Sequence, residues 1–350
     1  MPDRPRLTPA IADVRRAVRE LLAARADAGA LPEGSLVLVA LSGGPDSLAL
    51  AAATAFEAPR AGFRAGAVVV DHRLQEGSAA VAERAAEQAR ALGLDPVEVR
   101  RIPDGDGSRT GSVEAWARTG RYRELDAALA ELGARGILLG HTRDDQAESV
   151  LLGLLRGSGP TSLSGMDVVN GTRWRPLLGL PRATTVQACA DADLQPWADP
   201  HNAEERFMRA RVRKSIMPVL VSELGAQIPG SLVRTAELLR EDAEALDAMA
   251  AEVMEDVVEL EEAGLSIGVA VLAANPAALR QRIIRQAVDS EFHVALSRTQ
   301  TLEVARLVTD WRGQGPIDLP GFTAERRGGR IHLISTRAGE LTGVKPPHDH

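Results

Sequence analysis

The segment Ser42-Gly43-Gly44-Pro45-Asp46-Ser47 combines two glycines, two hydroxyls and a carboxylate in six residues. Paired glycines let a backbone turn so tightly that successive N–H groups point at one anion. A helix beginning near Asp46 adds its positive end, and the two serines add donors, so the segment suits a phosphate group. It lacks the Gly-Lys-Ser/Thr of a Walker A loop. The plain alternative is a glycine turn followed by an Asp or Ser helix cap. A second segment runs from Gly140 and His141 through Thr142 and Asp145 to Glu148. On a helix, His141 and Asp145 lie four residues apart and Asp145 and Glu148 three apart, so they share a face. Asp145 and Asp46 together have the donor type for Mg²⁺, which takes one or two carboxylates beside phosphate and water. Here too a plain reading exists: acidic residues stabilise a first helical turn and Thr142 is a natural cap. Smaller candidates are Asp71-His72, Arg156 before a Gly-Ser-Gly stretch, and RFMRARVRK (206–214), with five positive side chains and no acidic one.

These side chains need a scaffold. LVLVAL (36–41), AVVVDH (67–72), PVEVRRI (96–102) and GILLGH (136–141) read as short buried strands. A helical pattern at 12–28 precedes the first, others lie between them at 47–56, 79–93 and 112–132, and 143–156 follows the last. This alternation predicts an α/β fold, a parallel sheet with helices on both faces. Such sheets bind ligands beyond the carboxyl ends of their strands, where the phosphate-suited loop, Asp71-His72 and the His141–Glu148 group all fall. After a glycine-rich loop (157–166), WRPLLGL (174–180) reads as a further strand and 181–194 as a helix opened by proline. Beyond Pro218 the pattern turns mainly helical, over 231–262, 276–290 and 298–309, with short strands near 316–334. A domain boundary is expected near 215–228, separating a domain over 1–215 from a smaller, mainly helical C-terminal domain over 216–340.

A length of 350 residues suits two domains. The single cysteine, Cys189, excludes an internal disulfide framework and a cysteine-ligated cluster within one chain; it reads as a core residue. Trp174 and Trp197 read as packing residues. The N-terminus lacks a signal-like apolar stretch and no run is long enough to span a bilayer, so a cytoplasmic protein without a membrane partner is expected. The net charge of -7 weakens a polyanion partner on its face, but the basic run 206–214 supplies a local positive field.

SGGPDS is similar to the signature of the N-type ATP pyrophosphatase (PP-loop) superfamily. VDHRLQEGS (70–78), EAWARTGRYREL (114–125), GHTRDDQAESVLLGLLRGSG (140–159), LSGM (163–166), RPLLGLPR (175–182) and ADPHNAEERFMRARVRK (198–214) resemble the tRNA(Ile)-lysidine synthetase family. The likeness covers most of 36–218. Departures are Arg209-Ala210, where the family usually has Arg-Asn, and His201-Asn202, where it usually has Ser-Asn. The resemblance implies ATP and Mg²⁺ as cofactors, and free L-lysine and a CAU-anticodon tRNA(Ile) as partners. It implies adenylation of the C2 oxygen of the wobble cytidine, then attack by lysine on C2 to give lysidine, AMP and pyrophosphate. It assigns the ATP site to Ser42, Gly43, Gly44, Pro45, Asp46, Ser47, Asp71, His72, Gly140 and His141. Asp46 and Asp145 become metal and phosphate ligands, Glu148 a lysine contact or base, and Arg118 a group stabilising charge on the cytidine or the phosphates. Arg156, Arg206, Arg209, Arg211, Arg213 and Lys214 become contacts for tRNA phosphates. The C-terminal part is then a tRNA-interacting domain. Oligomeric state stays open, a homodimer being one option. The rival readings are a PP-loop enzyme acting on another tRNA base or a small molecule, and a non-catalytic nucleotide sensor or tRNA-binding protein.

Overall fold

In β1 (Leu36–Ala40), Val37 and Val39 enter one core with Leu21, Leu48 and Ala67, whereas Leu36 and Leu38 enter another with Val68, Leu125 and Ile137. A strand apolar on both faces belongs in the middle of a covered parallel sheet, and β1 lies there. The computed structural model describes residues 7–73, 77–103, 113–157, 159–197 and 208–336. The chain forms two compact units, Met1–Glu237 and Leu238–His350.

In the first unit β1 pairs in parallel with β2 (Arg64–Asp71) and β4 (Gly136–Leu138). Beyond them lie β3 (Val97–Arg101) on one side, and β6 (Arg173–Trp174) with the antiparallel β5 (Val169–Asn170) on the other, giving the order β3-β2-β1-β4-β6-β5. Helices α1 (Pro9–Asp27), α2 (Pro45–Arg60), α3 (Ser78–Ala91) and α7 (Arg182–Asp191) line one core, and α4 (Val113–Glu131) the other. After β3 the chain crosses back to set β4 on the far side of β1. The loops after β1 and β4 therefore flank the point where the strand order reverses, the place where open sheets take ligands. From β4 the chain enters α5 (Arg143–Leu155) and the single turn α6 (Pro160–Leu163).

Gly136 opens β4 against the indole of Trp174, which is 1% exposed. A Cβ there would stand 2.5 Å from Trp174 Cζ2. Gly136→Ala is therefore expected to cost about 1–3 kcal/mol through overpacking, seen as a lowered denaturant midpoint; an unchanged midpoint would contradict this account of the packing.

Two expectations are corrected. WRPLLGL is not one strand: only Arg173–Trp174 pair with β4, and Pro176–Gly179 form a 3₁₀ turn, because Pro176 cannot donate to a ladder. The acidic stretch 231–262 is not helical to its end. Helix α10 (Ile228–Val257) stops where Val258 and Leu260 alternate with Glu259 and Glu261, and β7 (Val258–Glu261) pairs with β8 (Gly264–Gly268). Tertiary pairing overrides helix propensity there. Between α7 and α10 lie α8 (Met208–Arg211), a π-helical turn (Val212–Ile216) and α9 (Met217–Leu224). The division between the two units falls inside α10, further along than the 215–228 expected.

The second unit contains α11 (Val269–Ala274), α12 (Ala277–Phe292) and α13 (Arg298–Thr309), with β9 (Ile317–Leu319), β10 (Phe322–Arg327) and β11 (Arg330–Ser335). Its sheet is antiparallel, in the order β7-β8-β11-β10-β9. The strands foreseen near 316–334 thus belong to a five-stranded sheet. Ile267, Ile283, Val304, Phe322 and Leu333 form its core, and Phe322 stacks on Phe292 at 4.8 Å. Among the described residues no single helix is long and apolar enough to cross a membrane.

Candidate active site

The chain leaves β1 through Leu41 and Ser42 and turns at Gly43, whose φ of 81° favours glycine. Gly44 is the N-cap of α2, and Pro45 fills the first helical position, where its missing N–H costs nothing. Ser47 Oγ donates to Gly44 O at 3.0 Å and accepts from the Ser42 N–H at 3.2 Å, with Ser42 Oγ 3.1 Å away. The serines thus fasten the loop as well as offering donors. Gly43 O accepts from the Trp197 N–H at 2.9 Å. The result is a glycine turn at a helix N-terminus, with Asp46 in the first turn of α2.

The second segment meets the first in space. A Cβ on Gly140 would lie 3.1 Å from the Asp46 carbonyl carbon and the Ser47 nitrogen, so glycine lets the end of β4 close on the loop. At the start of α5 Asp145 caps the helix and also joins an ion-pair cluster. Its Oδ2 accepts from the Thr142 N–H and hydroxyl, at 2.8 and 2.9 Å, as a cap. Its Oδ1 faces three guanidinium groups: Arg182 at 2.8 Å, Arg213 at 2.8 Å and Arg209 at 3.4 Å. Glu148, 2% exposed, meets the same three, with Arg213 at 2.6 Å, Arg209 at 3.1 Å and Arg182 at 3.4 Å. Arg182 also reaches Asp46 at 3.2 Å. Three carboxylates and three guanidinium groups form one cluster beside the glycine loop.

The electrostatics follow from this packing. Burial alone would raise the Asp145 carboxyl, but the arginines and the Thr142 N–H outweigh it and hold it at about 2. For Asp46 burial wins, raising it above the usual carboxylate range against the pull of Thr185 and Arg182. Burial lowers His141 to about 3, so its imidazole is neutral at pH 7, and its Nδ1 is buried without a hydrogen-bond partner among the described residues. Burial pushes the Cys189 thiol up to about 12, and its Sγ lies 3.2 Å from Pro45 O, a packing role as expected.

Sequence reasoning gave a helix over 181–194 but missed that it ties the two segments together. The Asp144 carboxylate accepts from the Arg182 N–H at 2.8 Å and caps the start of α7, while Thr185 Oγ1 donates to Asp46. Arg182, Thr185 and Cys189 recur at helical spacing and all three touch residue 45 or 46. One signal was available: an arginine in a first helical turn opposes the helix dipole, so Arg182 needs nearby carboxylates. On the expectation that Asp46 serves the chemistry, Thr185→Val should slow it by about 10-fold, the worth of one charge-assisted hydrogen bond, while Thr185→Ser keeps the rate. Equal rates for Val and Ser, with unchanged melting, would remove Thr185 from the site.

Arg209 and Arg213, four apart across α8 and the π-helical turn, share a face and turn inward to the carboxylates. Arg211 and Lys214 are exposed, as is Arg156 at the end of α5. Arg206 lies outside the described residues. Asp71 is 4% exposed, ends β2 and accepts from the Arg73 N–H at 3.0 Å, with the half-buried His72 beside it. Arg118 is exposed on α4, its guanidinium 5.2 Å from the Tyr122 ring, and none of its described contacts reaches Asp46, Asp145 or Glu148.

Residues 13–220 match the PP-loop domain family, and residues 268–332 match the TilS substrate binding domain. The tRNA(Ile)-lysidine synthase of Leifsonia xyli subsp. xyli is 55% identical over 302 residues, covering 86% of this chain and 90% of that protein. That of Streptomyces coelicolor is 50% identical over 307 residues, 86% of each chain. Among solved structures, the U34-tRNA thiolase NcsA from Methanococcus maripaludis is similar in fold, with a TM-score of 0.55 over 66% of this chain and 80% of that chain, at 19% identity.

Proposed function

The chain belongs to the tRNA(Ile)-lysidine synthase family, and on that premise we propose how its own residues carry out the ligation. It is an ATP-dependent ligase of the PP-loop type that forms lysidine on tRNA(Ile). The C2 oxygen of the wobble cytidine of the CAU anticodon attacks the α-phosphorus of ATP and pyrophosphate leaves; the ε-amine of lysine then attacks C2, the C2–O bond breaks and AMP departs with that oxygen. The observation that carries this reading is the convergence of the Ser42–Ser47 loop with Asp46, Asp145 and Glu148 where the strand order reverses.

The loop's N–H groups and the start of α2 face the phosphates and the departing pyrophosphate. Among the described residues no three His, Cys, Asp or Glu side chains converge as a metal centre. Asp46 and Asp145 nevertheless suit a magnesium ion, which asks for only one or two carboxylates beside phosphate oxygens. When bound, it offsets charge on those phosphates. Glu148 is placed for the second step. A buried carboxylate already facing guanidinium groups accepts an ammonium in exchange for one of them, so lysine competes with Arg209 and Arg213 for Glu148. As the ammonium loses its proton, the same carboxylate can take it. His141, neutral and lacking a partner at Nδ1, offers an acceptor beside the nucleotide. Arg156 at the end of α5, Arg211 on α8 and Lys214 on the π-helical turn remain the outward cations expected to meet tRNA. ATP, lysine and tRNA share the cytoplasm, and this reading places the enzyme there.

The test is incubation with ATP, Mg²⁺ and radiolabelled lysine, with and without a CAU-anticodon tRNA(Ile) transcript. Label entering RNA only with that transcript, alongside AMP and pyrophosphate, is the expected result. Pyrophosphate without lysine incorporation would keep the adenylation and reject lysine as the acceptor.

A further inference from the structure

Two arginines of the basic run turn inward, so the cations that meet the RNA backbone must be sought elsewhere as well. One cluster stands out on α4. Tyr122, the single tyrosine of the chain, has Arg173 at 4.5 Å, Arg118 at 5.2 Å and Arg121 at 5.5 Å from its ring centre. Arg121 and Arg175 also reach its hydroxyl. Arg118, Thr119, Tyr122, Arg123, Asp126 and Arg173 surround an open surface cavity of about 440 Å³. Asp126 pairs with Arg173 at 2.7 Å and Glu124 with Arg123 at 3.4 Å, so two carboxylates face several guanidinium groups and a positive excess remains.

This arrangement has the features of a polyanion seat. Guanidinium groups held against an aromatic ring lose part of their freedom in advance, and they present forked donors that match phosphate oxygens. The cavity is open rather than enclosed and three of the residues around it are arginines against one aspartate, which suits a backbone passing over it better than a small molecule held within. The cluster also lies on the strand beside the one that leads to the carboxylate site: Arg173 of β6 pairs with Ile137 of β4, from which the chain runs to His141 and Asp145.

We propose that the Tyr122 platform, with Arg118, Arg123 and Arg173, is a docking surface for the phosphodiester backbone of the substrate RNA next to the base being modified. This rests on the ligase reading above, and the experiment separates the two. Binding of the tRNA(Ile) transcript to the full chain is measured across a salt series, for the parent and for the double variant Arg123→Gln/Arg173→Gln. Each lost phosphate contact lowers the slope of log affinity against log salt by about 0.7–0.9. The double variant should therefore bind at least about 10-fold more weakly, with a slope shallower by roughly 1.4–1.8, while ATP binding without RNA is unchanged. Equal affinity and equal slope would overturn the docking surface and leave the ligase reading standing. Loss of ATP binding without RNA would move these arginines to the nucleotide site and also overturn it. A parent chain that binds no tRNA would reject the ligase reading itself.

Discussion

Asp46→Ala is expected to lower tRNA-dependent pyrophosphate release by roughly 100- to 1000-fold, the scale on which one preorganised charge-stabilising group acts. Asp46 occupies the first turn of α2 directly behind the glycine loop, and Thr185 and Arg182 hold its two oxygens. That double anchorage fixes the orientation of the carboxylate against the start of α7. Arg182 keeps Asp145 and Glu148 after the substitution, so the cluster retains its counter-charges and the fold should persist. Asp46→Asn separates charge from shape, since the amide oxygen can still accept from Thr185. A loss in both variants assigns the effect to the negative charge. Release within about 3-fold of the parent, or under ~0.7 kcal/mol, would remove Asp46 from the phosphate site.

Glu148→Gln should divide the reaction in two. Lysine incorporation is expected to fall about 100-fold, a typical worth for a positioned base or ion-pairing carboxylate, while pyrophosphate release with cognate tRNA continues. Glutamine is the informative replacement because Glu148 is 2% exposed and faces three arginines. Alanine would leave those cations short of a partner, at roughly 2–3 kcal/mol after allowing for their partial exposure. Raised lysine concentration should recover part of the Gln variant's rate if Glu148 binds the ammonium, and none if it serves only as the base. A parallel fall in both steps would place Glu148 in the adenylation machinery instead.

Much of this site was legible as local chemistry. The glycine pair, the proline at the first helical position and the acidic first turn of α5 are short-range features, and each forms the structure its spacing implies. The strands ending in these segments were legible because a buried parallel strand must be apolar on both faces. The inward turn of Arg209 and Arg213 was only half visible. Their spacing puts them on one face, but a basic run looks the same whether it faces solvent or a carboxylate pair more than sixty residues earlier in the chain.

The sequence by itself determined most of the elements, the phosphate-suited loop and the carboxylates on one helical face, because these depend on backbone conformation within a few residues. Only the tertiary structure decided that β1 and β4 are neighbours, that Gly140 lets their loops touch, and that α7 clamps Asp46 between Thr185 and Arg182. Contacts of that kind join residues up to 139 positions apart. They are selected by how apolar faces and buried charges can all be satisfied at once, which no local spacing encodes.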